Sequence, residues 1–114
     1  MTTATKPHKT PKPVGIQETF WDIIMRVGQS QVAPASQEGK RNAQGWLLRA
    51  AGPVGTIKSG ADAAGGKPQY ALALFRLERA EALLRVIGCR GVADRLGCFM
   101  VRIKKLREAR WGAA

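Results

Sequence analysis

Residues 85–111 read RVIGCRGVADRLGCFMVRIKKLREARW, and the architecture turns on how this stretch is divided into helices. Gly88 ends whatever helix precedes it. After it, Val92, Ala93, Leu96, Val101, Ile103 and Leu106 recur at helical spacing, with Gly97 and Cys98 between the two groups. Gly97 can take the left-handed backbone conformation that a sharp turn between helices needs. The spacing therefore predicts a short first helix, a break at Leu96-Gly97-Cys98, and a second helix over about 100–110. Eight Arg or Lys stand in the stretch against two acids, Asp94 and Glu108, so it carries +6 of the chain's formal +11.

Val92 and Leu96 would pack the short helix onto the one before it, with Ala93 small where the two cross. Ile103 and Leu106 would bury the inner side of the second helix. A rotation of about 100° per residue then sends Val101, Lys104, Lys105 and Glu108 outward, with Arg102 and Arg107 flanking them.

Working back along the chain, Pro68 suits the first turn of a long helix over about 68–87. Its face is Tyr70, Leu74, Leu77, Leu84 and Ile87, widened by Phe75, Leu83 and Val86, with Glu81 and Arg85 as an i,i+4 pair. Residues 52–67 contain five glycines and read as a Gly-rich loop. The piece Gly55-Thr56-Ile57-Lys58-Ser59 lacks the Gly that a phosphate-binding loop needs before its Lys, and no strand feeds it, which excludes nucleotide binding there. A helix over 37–51 carries Trp46, Leu47 and Ala50, capped by Ser36 and closed by Gly52-Pro53; Lys40, Arg41 and Arg49 make it basic. A first helix over 16–28 carries Ile16, Phe20, Ile23, Ile24 and Val27, with Trp21 beside them and Gly28 as its stop.

Residues 1–14 hold three Pro and three Lys with almost nothing to bury. They read as a disordered basic arm, either an active one that tracks phosphates or a plain solubilising terminus. The expected organisation is this arm followed by a single all-α domain over 15–114. No segment alternates as a strand. No apolar run approaches the roughly 20 residues of a membrane span, and no hydrophobic signal core precedes the domain, so the expectation is a cytoplasmic protein without a membrane partner.

At 114 residues, with a sequence pI near 10.7, the chain reads either as the partner of a polyanion (DNA, RNA, an acidic protein or an anionic membrane face) or as a basic protein with no such partner. Cys89 and Cys98 form neither a disulfide framework nor a CxxC pair, and both read as small buried hydrophobes. With His8 the only histidine, a four-ligand zinc site cannot be assembled, and no metal or other cofactor is implied. Paired carboxylates and Cys–His pairs are missing too, which argues against an enzyme and leaves no catalytic candidate. Trp21, Trp46 and Trp111 read as core anchors.

The pattern at Ala93, Leu96, Gly97, Ile103 and Leu106 resembles the helix-turn-helix family of DNA-binding proteins, with helix 68–87 as third member of a trihelical unit over 68–111. The resemblance implies a second helix in a major groove of duplex DNA. Lys104 and Lys105 would lie nearest the base edges and Val101 against a thymine methyl. Arg102, Arg107 and Arg110 would meet phosphates, while Arg90 and Arg95 hold the backbone. The sequence departs from the family where Phe99 and Met100 replace a polar cap. They are core filling, a protein-binding spot or a base-stacking wedge. The Leu96-Gly97-Cys98 turn, late in a chain with a Trp-bearing first helix, is similar to phage Q-type late antitermination proteins. That likeness implies a transcription regulator touching RNA polymerase, with Phe20 and Trp21 as a polymerase-facing or packing surface. Two other classes fit the charge: an interaction or inhibitor module gripping an acidic protein, and an RNA- or ribosome-binding protein. The segment also reads as an ordinary helical hairpin whose Lys and Arg form a solvated face.

Overall fold

The computed structural model describes residues 15–59 and 66–112, and all regular structure among them is helical. Helix α1 spans Ile16–Gln29, a 3-10 turn follows at Pro34–Ser36, and α2 spans Gln37–Ser59. Helix α3 spans Gly66–Val86 and α4 spans Arg90–Trp111. The all-α class read from the sequence is the observed one. The predicted basic arm and residues 60–65 lie outside the described residues.

Helix α1 buries Ile16, Phe20, Ile23 and Val27, one side of an amphipathic helix. At its start the Gly15 N–H donates to the Glu18 carboxylate at 3.1 Å. At its end the Lys40 ammonium donates to the Gly28 and Ser30 carbonyls at 3.0 and 2.9 Å. A cation there satisfies carbonyls left open by the last turn and meets the negative end of the helix dipole.

Helix α2 corrects the first expectation. It passes through Gly52-Pro53 and ends at Ser59, so the predicted loop 52–67 is helical at 52–59, and α3 already begins at Gly66. Val54 and Ile57 continue the buried stripe of Leu47 and Ala50 at helical spacing. Proline inside a helix costs about 3 kcal/mol, partly because the carbonyl four residues earlier loses its donor. That carbonyl is Arg49's, and the Arg76 guanidinium of α3 donates to it at 2.6 Å. A neighbouring helix supplies the bond that Pro53 cannot.

Helix α4 corrects the second. It runs unbroken from Arg90 to Trp111 through Gly97. The turn lies earlier, at Gly88, whose φ is 88°. The Cys89 N–H bonds the Leu84 carbonyl at 2.9 Å and the Gly88 N–H bonds the Arg85 carbonyl at 3.2 Å. This is a Schellman ending, which favours glycine at its left-handed position. The helix-turn-helix-like unit expected over 68–111 is thus a two-helix hairpin with its turn at Gly88. Gly97 stays helical because Val92, Leu96, Phe99 and Ile103 line one continuous buried side across it. Its missing side chain gives room to α3: a Cβ there would lie 3.1 Å from Glu81 Oε2. Arg85 clamps the hairpin, reaching Glu81 at 2.8 Å and Asp94 at 3.0 Å. Those two carboxylates, Glu81 first, hold its guanidinium above the usual arginine range.

The two glycines therefore respond oppositely to substitution. Gly88→Ala is expected to cost about 1 kcal/mol, the penalty of a left-handed alanine. Gly97→Ala gains up to about 1 kcal/mol of helix propensity, offset by displacing the Glu81 carboxylate, and should leave stability nearly unchanged. Urea unfolding of both variants checks this, and a larger loss at Gly97 would place the turn there after all.

Helices α2 and α3 form the most extensive pair, with α4 laid on α3 and α1 closing the core against α2 and α4. Gly39 lets α2 approach the end of α3, since a Cβ there would meet Ile87 Cγ2 at 2.7 Å. At the centre Phe20 of α1 stacks on Phe99 of α4, ring centroids 5.9 Å apart and planes 25° from parallel. Leu47, Leu77, Leu84, Leu96 and Ile103 are fully buried around them. No helix among the described residues is long and apolar enough to cross a membrane.

Candidate nucleic-acid interface

Helix α4 carries every cation that the sequence assigned to nucleic acid. Arg90, Arg95, Lys104, Lys105 and Arg110 are exposed, as is Val101, whereas Arg102 and Arg107 are half-buried. They are dealt around the rod and not gathered on one face. Arg95 and Arg102 turn toward α1, where they line an open groove of about 390 Å³ with Thr19, Asp22, Cys98 and Phe99. Arg102 is partly committed there, its Nη1 donating to Thr19 Oγ1 at 3.2 Å. Arg110 lies over the Trp111 ring at 4.9 Å, and that ring meets Tyr70 edge-on at 5.2 Å.

Charge pairing is sparse. Among the described residues the side-chain ion pairs are Arg26–Asp22, Arg85–Glu81 and Arg85–Asp94. Arg90, Arg95, Lys104, Lys105 and Arg107 have no carboxylate within salt-bridge distance among those residues, nor do Arg41, Arg49 and Arg79. An unpaired cation on a surface loses little hydration and keeps its field for a partner.

The apolar candidates divide differently from the expectation. Phe20, Phe99 and Met100 are core, with Phe99 only 2% exposed, so they cannot serve as a partner-binding spot or a wedge while the fold is intact. Trp21 alone of that set faces solvent, at 44%, beside Met25 at 60%. It is therefore no core anchor; Trp46 and Trp111 are half-buried and pack against the core. Leu106, expected to face inward, is 38% exposed, whereas Ile103 is buried as expected. Cys98 is exposed and Cys89 half-buried, against the expectation of two buried thiols.

One cluster was missed. On the α2–α3 face, Arg49 and Arg79 lie over the Trp46 ring at 5.0 and 5.5 Å, and Arg79 lies over Phe75 at 5.3 Å. The two rings meet edge-to-face at 6.1 Å. Hollows on either side of Trp46 are lined by Arg41, Asn42, Gly45 and Arg49, and by Arg79, Ala82, Leu83 and Val86. The signal available in the sequence was an aromatic followed by Arg at helical spacing, Trp46 to Arg49 and Phe75 to Arg79. Their juxtaposition is tertiary.

No family model, curated protein or solved structure matches the chain. Among the described residues no group of His, Cys, Asp and Glu could hold a metal ion. The surface chemistry carries the functional reading.

Proposed function

We propose that this chain is a small regulator that binds nucleic acid without catalysing a reaction, holding duplex DNA along the cations of α4. What carries the proposal is the exposure of Arg90, Arg95, Lys104 and Lys105 on one rigid helix with no carboxylate partner among the described residues. The Arg85 clamp and the Arg102–Thr19 bond brace that helix, so little order is lost when a partner docks. A helix is about 10–12 Å across, and the major groove of duplex DNA is about 12 Å wide. Lysines act as point charges toward phosphates and lack the bidentate fork that reads guanine, so discrimination among sequences should be weak.

Lys104→Ala with Lys105→Ala tests the assignment. Both side chains are exposed, so the double variant should keep its fold by circular dichroism. Duplex affinity should fall, and the log–log salt dependence should shallow by about 2, one for each phosphate contact removed. Parental affinity in the double variant, read by fluorescence anisotropy at low salt, moves the interface off α4.

A protein contact is supported by a separate observation, the exposed Trp21–Met25 patch on α1. On this reading a partner protein sits there, and RNA polymerase is the one to test, although the Leu96-Gly97-Cys98 turn behind the antitermination likeness is helical. Capture of purified polymerase by the parent but not by Trp21→Ala with Met25→Ala would support it; equal capture would remove the contact from α1.

A further inference from the structure

We infer that the α2–α3 face around Trp46 and Phe75 binds single-stranded nucleic acid, with unpaired bases stacking on the exposed Phe75 ring and against the guanidinium-covered Trp46, and Arg41, Arg49 and Arg79 meeting the phosphates. The inference rests on the nucleic-acid reading above but assigns a second surface and a second kind of ligand.

The argument begins with what these arginines do not do. Arg76, on the same face, has a structural duty at the Arg49 carbonyl. Arg49 and Arg79 have no carboxylate partner among the described residues, and their guanidinium carbons lie 5.0 to 5.5 Å from the centroids of the aromatic rings. A guanidinium held near a ring, with no carboxylate to pair with, keeps N–H groups to donate to a phosphate. Cations outnumber acids on this face, where Arg41, Arg49 and Arg79 stand with Glu38 one turn before Asn42 on α2 and Glu78 beside Arg79 on α3. Glu81 of α3 is turned to the opposite flank, toward Gly97 and the Arg85 clamp. The lining residues of the two hollows beside Trp46 include no acid.

The apolar part points the same way. Phe75 is a large ring left 50% exposed, and Val86 beyond it is more exposed still. Beside Trp46, Gly45 has open space where a side chain would stand. Asn42 lines the same hollow and offers both a donor and an acceptor to a base edge. Rings interleaved with arginines suit single strands, because every base has a face to stack and the backbone follows the charge. A duplex keeps its base faces covered and gains only the charge.

The test uses a labelled oligothymidine and an oligouridine, each of about twelve nucleotides, and a duplex of equal length, titrated by anisotropy. Phe75→Ala with Arg79→Ala changes two exposed side chains. It should weaken single-strand binding about tenfold or more and duplex binding by less than about twofold. Arg49→Gln with Arg79→Gln, which leaves both rings in place, should weaken it as well and guards against misfolding of the first variant. Lys104→Ala with Lys105→Ala should do the reverse. Loss on both oligomers supports a site for base and phosphate, and loss on one supports it and shows that the site senses the sugar or the thymine methyl. In a background of Trp21→Phe and Trp111→Phe, the remaining emission reports Trp46 and should be quenched on saturation with oligothymidine. Parental single-strand affinity in both variants of this face, equal losses on duplex and single strand, or unchanged Trp46 emission would overturn the inference. A parent that binds single strands but no duplex removes the α4 reading and leaves this one standing.

Discussion

Phe99→Ala is expected to bring the protein to the edge of unfolding, with a loss of about 3–5 kcal/mol. A small domain has only about 5–15 kcal/mol in total. The ring is buried between helices and stacked on Phe20, so truncation removes apolar burial and leaves a cavity bordered by Phe20, itself fully buried. The pair links α1 to α4, which otherwise touch less than any other packed pair of α-helices. The aromatic contact adds about 0.5–1.5 kcal/mol beyond area, so Phe20→Ala and Phe99→Ala should couple in a double-mutant cycle. Val101→Ala, two residues along and exposed, should change stability by less than about 0.5 kcal/mol. Urea unfolding measures all of these. A loss under about 1 kcal/mol at Phe99 would mean that its ring is free in solution. It would reopen the partner-binding role that burial has closed.

The second large effect is on binding. If α4 holds a duplex through about five phosphates, log affinity should fall against log salt with a slope of about −4 to −5. Raising salt fourfold then weakens the complex by about two to three orders of magnitude. Five cations on α4 could supply the contacts, none with a carboxylate partner among the described residues. Arg90, Lys104 and Lys105 do so from its outward side, and Arg95 and Arg107 only by reaching round from its flanks. Arg102 and Arg85 are excluded from that number because Thr19, and Glu81 with Asp94, already engage them. Anisotropy across a salt series gives the slope directly. A shallow slope of about −1 would show that one or two cations suffice, and absence of duplex affinity at low salt would reject the proposal.

Gly97 shows where a local signal misleads, while Gly88 ends a helix as its sequence position predicts. Both are glycines between apolar groups of residues 85–111, and each can end a helix. The choice between them was made by the Schellman bonds at Gly88 and by a buried stripe that crosses Gly97 without a break. Gly52-Pro53 misled in the same way. Its punctuation reads as a stop, yet Arg76 of another helix replaces the lost bond. The spacing of Leu47, Ala50, Val54 and Ile57 was the legible counter-signal. Of the candidate site, the exposure of Lys104 and Lys105 followed from helical rotation alone, whereas Arg102's tie to Thr19 did not.

Helical periodicity and the excess of cations are local and compositional properties, and so the chain's residues alone determined an all-α architecture with net charge +11. Which apolar residues were core, where the hairpin turned, and which arginines met rings or carboxylates waited on packing. Those outcomes depend on contacts between residues far apart in the chain, such as Trp46 with Arg79 and Phe20 with Phe99. The free energy of such contacts comes from surface that two helices bury together, which neither helix specifies by itself.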